Sequence, residues 1–269
     1  MNMSDLIRKR RSVRTFDGTP LRKEDAEAIL AFASKVENPF DLPIEWKLLD
    51  GKKEGLSSPV IAGTDTFIAG KMPETDRAEE AFGYTFEKVV LFAESLGVGT
   101  TWIAGTMDRK AFELAVGLKE GEVMPCISPL GYPAPKMSLR ETLMRKGVKA
   151  DTRIDFEKLF FDGDFEKGLT SENAGELALP LQMVRLAPSA VNAQPWRLLV
   201  CGDCVHFYEK RSRGLSANGW DIQKIDMGIA LSHFEAGAAE CGLRPVLFVE
   251  DPCIPNNEGL TYIASYRIR

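Results

Sequence analysis

The chain has 269 residues, 44% of them hydrophobic and 27% charged, enough apolar material for one large core or two modest ones, which excludes disordered and fibrous classes. A net charge of −5 gives no general attraction for nucleic acid, and the apolar runs fall short of the roughly 20 residues that cross a bilayer. Five cysteines and two histidines exclude the disulfide framework of small secreted domains. Neither histidine stands in metal-ligand spacing, so an enzyme built on this chain would lean on a cofactor.

The N-terminal residues MNMSDLIRKRRS lack the apolar stretch of a secretion signal, so a cytoplasmic protein with reduced thiols is expected. Ser4 suits the N-cap of a short helix over Asp5 to Arg10, followed by extended chain in which Ser12, Arg14 and Phe16 alternate. Glu24 to Val36 reads as a helix with Ala26, Ile29, Leu30 and Ala33 on one face. Pro43 to Leu49 and Pro195 to Val200 read as strands. Phe82 to Leu96 and Met227 to Cys241 are apolar on most sides and read as buried helices ending at Gly97 and Gly242. Val123 to Tyr132, Val205 to Tyr208, Pro245 to Glu250 and Leu260 to Ile268 complete the strands. Without a regular βαβ rhythm, this mixture predicts an α+β fold, helices packed around largely antiparallel sheet.

A weak internal repeat runs through these elements. Phe16-Asp17-Gly18 returns as Phe161-Asp162-Gly163, and Leu21-x-x-Glu24-x-Ala26 as Leu169-x-x-Glu172-x-Ala174. Trp46-Lys47-Leu48-Leu49 returns as Trp196-Arg197-Leu198-Leu199, and the run Gly83 to Gly97 matches Gly228 to Gly242. The order is kept, which predicts two similar halves, residues 1–148 and 149–269, forming an internal pseudo-dimer.

Four segments carry unusual chemistry. Arg8 to Arg14 packs five cations into seven residues around Ser12. On extended chain, Ser12 and Arg14 suit a single phosphate group; a solvated basic face is the plain alternative. Pro188 to Trp196 brings Ser189, Asn192 and Gln194 into a short loop stiffened by two prolines. It could read the edge of a planar heterocycle, or its side chains could cap backbone groups of an ordinary turn. Gly97 to Gly105 is glycine-rich but follows a helix, where a dinucleotide fingerprint must follow a strand. Gly131 to Lys136 turns sharply and delivers Lys136, with Arg140 beyond. Cys201-Gly202-Asp203-Cys204 reads as a hairpin turn flanked by thiols rather than a redox or zinc motif, and His206 and His233 read as structural.

Together, RRSVRTF at 10–16, PSAVNAQPW at 188–196, GVGTTWIAG at 97–105 and LGYPAPK at 130–136 resemble the nitroreductase family of FMN enzymes. Family members usually carry all four motifs in one polypeptide and build two flavin sites across a homodimer. Here three motifs lie in the first half and PSAVNAQPW in the second. The corresponding stretches read ENPFDLPIEW, which keeps Trp46 but loses the serine and asparagine, and ADTRIDF. The resemblance therefore implies a fused, pseudo-dimeric branch with one FMN per chain. It implies that Arg10, Arg11, Ser12 and Arg14 hold the phosphate and ribityl chain, with Lys136 and Arg140 adding charge. Pro188, Ser189 and Asn192 would contact the ring, and the backbone of Ala104 and Gly105 would lie near the flavin N5. The implied activity is ping-pong transfer from NADH or NADPH to a small electron acceptor such as a nitroaromatic or quinone, with no catalytic side chain. A monomer is expected, with a homodimer as alternative, and neither nucleic acid nor membrane as partner. The rival readings are an FMN-binding protein without nicotinamide turnover and a cofactor-free module whose basic N-terminus binds a phosphorylated partner.

Overall fold

In the computed structural model, residues 2–212, 216–217, 220–256 and 259–269 are described, and the side chains of 216 and 217 are not. Contacts divide the chain into two compact units, Lys9–Ala150 and Met1–Arg8 with Asp151–Arg269. The sequence division at 148/149 carried the first eight residues with the first half; the structure groups them with the second. Helix α1 (Met3–Lys9) shows why, because the Ser4 hydroxyl and amide donate to the Glu240 carboxylate at 2.7 and 2.9 Å. Ser4 is therefore not the N-cap expected of it. Asn2 takes that role, its Oδ1 accepting from the Asp5 amide at 3.0 Å.

The unit Lys9–Ala150 contains α2 (Lys23–Ala33), β1 (Glu45–Asp50), α3 (Gly51–Glu54), β2 (Thr66–Pro73), α4 (Ala78–Ser95), α5 (Arg109–Val116), β3 (Glu122–Val123), β4 (Ile127–Leu130) and α6 (Leu139–Gly147). Strand β2 is the spine of an antiparallel sheet, paired with β1 on one edge and with β4 and β3 along the other. The single strand expected over 123–132 is two. Pro125 has no N–H for the ladder, and the Arg109 guanidinium takes the carbonyls of Met124 and Pro125 at 2.7 and 3.1 Å. Helix α4 is buried on most sides, as expected from a sequence apolar on most sides. Trp46 of β1 packs on Phe82 and Phe86 of α4, and Phe86 meets Trp102 at 4.7 Å. Gly70 of β2 lets this happen, since a Cβ there would stand 2.6 Å from the Trp46 ring.

The other unit contains β5 (Phe160–Asp162), α7 (Ala178–Leu186), β6 (Trp196–Cys201), β7 (Cys204–Glu209), β8 (Ser216–Ala217), β9 (Trp220–Asp221), α8 (Ile222–Glu240), β10 (Pro245–Phe248) and β11 (Thr261–Ile268). Five strands form a sheet in the order β10-β11-β7-β6-β5, antiparallel except for the β5/β6 pair. Strands β8 and β9 form a separate ribbon. Helix α7 opens at Ala178, after a short 3-10 turn over Gly175–Leu177. Helices α7 and α8 pack closely at Gly237, where a Cβ would come within 2.7 Å of the Pro180 Cα. Cys201 and Cys204 face each other across the two-residue turn with free thiols, the hairpin the sequence predicted.

Helices α4 and α8 end alike. Gly97 and Gly242 both adopt φ of +76°. In each case the next amide reaches back to an alanine carbonyl, Val98 to Ala93 at 2.9 Å and Leu243 to Ala238 at 3.0 Å. This is the Schellman pattern, in which glycine supplies the left-handed conformation without steric cost. Among the described residues, no helix is long and apolar enough to cross a membrane.

Candidate functional site

In the unit Lys9–Ala150, three of the four motif segments lie side by side. The Val13 amide donates to the Thr100 carbonyl at 2.8 Å, and Ser12 forms a bridge with Thr100. Gly99 bridges Gly131, Phe16 bridges Pro133, and the Asp17 amide donates to the Tyr132 carbonyl at 2.9 Å. Glycine leaves the room that two of these contacts use. A Cβ at Gly99 would meet the Val13 side chain at 3.0 Å, and one at Gly131 would meet the Phe16 ring at 2.8 Å.

The structure sorts the basic segment into structural and available groups. Arg10 is nearly buried, its Nε 3.7 Å from Glu87 of α4, whose side chain is fully buried and also accepts from Trp102 Nε1 at 3.2 Å. Arg11 donates to Glu141 of α6 at 3.0 Å. Glu141 stands three residues after Ser138, which caps α6 by accepting the Glu141 amide at 3.1 Å. In a capping box the glutamate would turn back to the Ser138 amide. Here Thr15 Oγ1 accepts that amide at 3.2 Å, leaving the carboxylate to Arg11. Ser12 Oγ and the Arg14 guanidinium have no hydrogen-bond or ion-pair partner among the described residues. Burial lowers the Arg14 pKa, with Arg145 acting the same way and Glu141 opposing. A half-buried cation next to an unused hydroxyl on extended chain is a donor set suited to an anion.

Lys136 is exposed, and Arg140 donates to the Pro59 carbonyl. The amides of Ala104 and Gly105 donate to no group among the described residues. The Ala104 carbonyl faces Arg109, accepting at 2.6 Å.

In the other unit, Pro188 to Trp196 is a tightly wound loop. Val191, Asn192 and Gln194 all have left-handed φ, at 47°, 59° and 50°, which is costly for side chains other than glycine and most of all for β-branched valine. The Gln194 amide donates to Ser189 Oγ at 2.9 Å, the Gln194 Oε1 accepts from the Ile154 amide at 2.9 Å, and Asn192 Nδ2 donates to the Thr152 carbonyl at 3.1 Å. Ser189 and Asn192 thus cap backbone groups, the plainer of the two readings of this loop. Among the described residues the Ser189 hydroxyl donates to no group, and Pro188, Ser189 and Asn192 are half-buried. The Ala190 amide points to the carboxylate of Asp226 on α8, 3.0 and 3.1 Å from its two oxygens.

Three buried acids that organise these segments, Glu87, Glu141 and Asp226, escaped the sequence reading. Their signal was an acid inside an apolar or capped helix start. Both histidines are tied into the fold: His206 Nδ1 lies 2.7 Å from Ser265 Oγ, and His233 Nδ1 lies 2.9 Å from the Met183 carbonyl. No group of three or more metal-binding side chains converges among the described residues.

A family model described as "Putative TM nitroreductase" matches residues 2–238. A solved structure described as "a putative nitroreductase" from Thermotoga maritima is similar over 100% of this chain and 93% of its own, with 21% identity and a TM-score of 0.65. A nitroreductase family protein from Clostridium novyi NT shares 18% identity over 51% of this chain and 90% of its own, with a TM-score of 0.43. An FMN-dependent nitroreductase from Clostridium difficile R20291 shares 20% identity over 49% of this chain and 88% of its own, also with a TM-score of 0.43. No curated protein matches. The Thermotoga likeness shows that the fold is nitroreductase-like, with helices around largely antiparallel sheets.

Proposed function

Because the chain belongs to this nitroreductase family, we propose that it is an FMN-dependent oxidoreductase that takes electrons from NADH or NADPH and passes them to a small acceptor. The observation that carries this reading is the donor set in the unit Lys9–Ala150. Among the described residues, Ser12 Oγ, next to Thr100, and the Arg14 guanidinium have no partner, and the amides of Ala104 and Gly105 donate to no group. Ser12 and Arg14 would hold the phosphate, with Arg11 shared between it and Glu141 and with Lys136 and Arg140 adding charge. Ala104 and Gly105 would present N–H groups to the ring near N5. Pro188, Ser189 and Asn192 are assigned to the ring as well. Bound FMN would supply the two-electron chemistry, so this reading asks no acid, base or nucleophile of the side chains. Arg10 serves a different end: it neutralises buried Glu87 and so keeps the segment in place.

Equilibrium FMN binding to single variants tests the assignment. Ser12→Ala and Arg14→Ala should each weaken binding about tenfold or more, the worth of a charge-assisted hydrogen bond. Unchanged affinity in both would overturn the phosphate site.

A further inference from the structure

One buried acid has no task in this reading. Asp226 is 3% exposed on α8 and accepts a single donor, the Ala190 N–H, shared between its two oxygens. Among the described residues, the charged groups acting on it are Asp221 at the start of α8 and Glu209 on β7, both acidic, and Asp221 is itself paired with Arg211. Burial, with these neighbours, pushes the Asp226 carboxyl well above the usual carboxylate range, while the Ala190 bond pulls the other way. Among the described residues no cation faces this carboxylate, and a buried carboxylate is costly unless it is hydrogen-bonded, so its bond to the loop is the contact to account for.

It holds the entry of a strained loop. Ala190 opens the short 3-10 turn Ala190–Asn192, immediately before Val191 and Asn192 take left-handed conformations. The bonds of Ser189, Asn192 and Gln194 close the loop on itself and on residues 152–154. The Ala190 bond ties it to α8.

We propose that Asp226 is a positioning residue: as a hydrogen-bond acceptor fixed on α8, it sets the first turn of the 188–196 loop and thereby places Ser189 and Asn192 for the flavin ring. What the loop meets rests on the flavin reading; how the loop is held does not. The role asks for an acceptor atom and not for a negative charge.

Three variants separate these demands. Asp226→Asn keeps an acceptor oxygen, Asp226→Leu removes it at similar volume, and Ala190→Pro removes the donor at a first-turn position that tolerates proline. Amide hydrogen exchange over residues 188–196 is measured in flavin-free protein, and FMN affinity by equilibrium titration. Exchange should quicken about tenfold or more in Asp226→Leu and Ala190→Pro, with a matching loss of affinity, while Asp226→Asn stays within about twofold of wild type. Wild-type exchange in both Asp226→Leu and Ala190→Pro would overturn the proposal. So would an Asp226→Asn as impaired as Asp226→Leu. Should Asp226→Leu fail to fold, Ala190→Pro decides. Should wild type take up no FMN, the flavin reading falls, and the exchange data still decide whether Asp226 positions the loop.

Discussion

Buried charge decides which cations of the first motif are structural. Removing one member of a buried pair leaves its partner uncompensated, and Arg10 stands against the fully buried Glu87. Arg10→Ala should therefore cost about 3 kcal/mol of stability in denaturant unfolding. Arg14→Ala removes no internal partner and should change stability by less than about 0.5 kcal/mol while weakening FMN. Equal destabilisation by the two would show that this sorting is wrong. Asp226 makes a pH prediction. Its folded pKa is raised by burial, so in acid the carboxyl is protonated whether folded or not and costs nothing. As pH rises past the unfolded carboxylate value of about 3.9, the unfolded chain ionises first and the native state loses ground. Asp226→Asn, which cannot ionise, should match wild type in acid and melt higher at neutral pH, by an amount that grows with pH until the folded pKa is passed. A variant less stable than wild type at neutral pH would mean that the charge itself is stabilising. The sequence reading could name Ser12 and Arg14 from alternation. It could not see that Arg10 and Arg11 are claimed by acids, because Glu87 and Glu141 lie 77 and 130 positions away.

Elements were legible where one local signal dominated. The buried helices α4 and α8 announced themselves by stretches apolar on most sides and a terminal glycine, and the β6/β7 hairpin by Gly202-Asp203. A Cβ at Gly97 or Gly242 would meet nothing within 4 Å, so only the left-handed backbone is at stake. Each alanine substitution should cost about 1 kcal/mol in thermal or denaturant unfolding. Cys201→Ser with Cys204→Ser should leave flavin retention after gel filtration intact, and loss of FMN would reopen the redox reading. Strand β2 was missed because it is buried on both faces and shows no alternation, and because Lys71 sits inside it. That lysine is satisfied by Glu122 at 2.9 Å, the Gly117 carbonyl at 3.0 Å and Glu45 at 3.3 Å, partners distant in sequence. The left-handed residues of the 188–196 loop were invisible for a related reason, since valine, asparagine and glutamine do not advertise such geometry as glycine does.

At the scale of the molecule, a chain of net charge −5 concentrates cations in one short segment, which fits a single anionic ligand better than an extended polyanion. The family and fold were legible from four motifs, and the geometry adds which motif groups are unpartnered. We propose one FMN per chain, since the basic motif and the PSAVNAQPW loop each occur once; released flavin measured against protein should give a ratio of one. The proposed activity requires that flavin to exchange electrons with a nicotinamide. The direct measurement is anaerobic addition of NADH, then NADPH, to the FMN-loaded protein while the visible flavin band is followed. Bleaching by at least one of them, with colour restored by a quinone or nitroaromatic, is the predicted result. A band that neither nucleotide diminishes would contradict the oxidoreductase reading and leave a protein that only carries flavin.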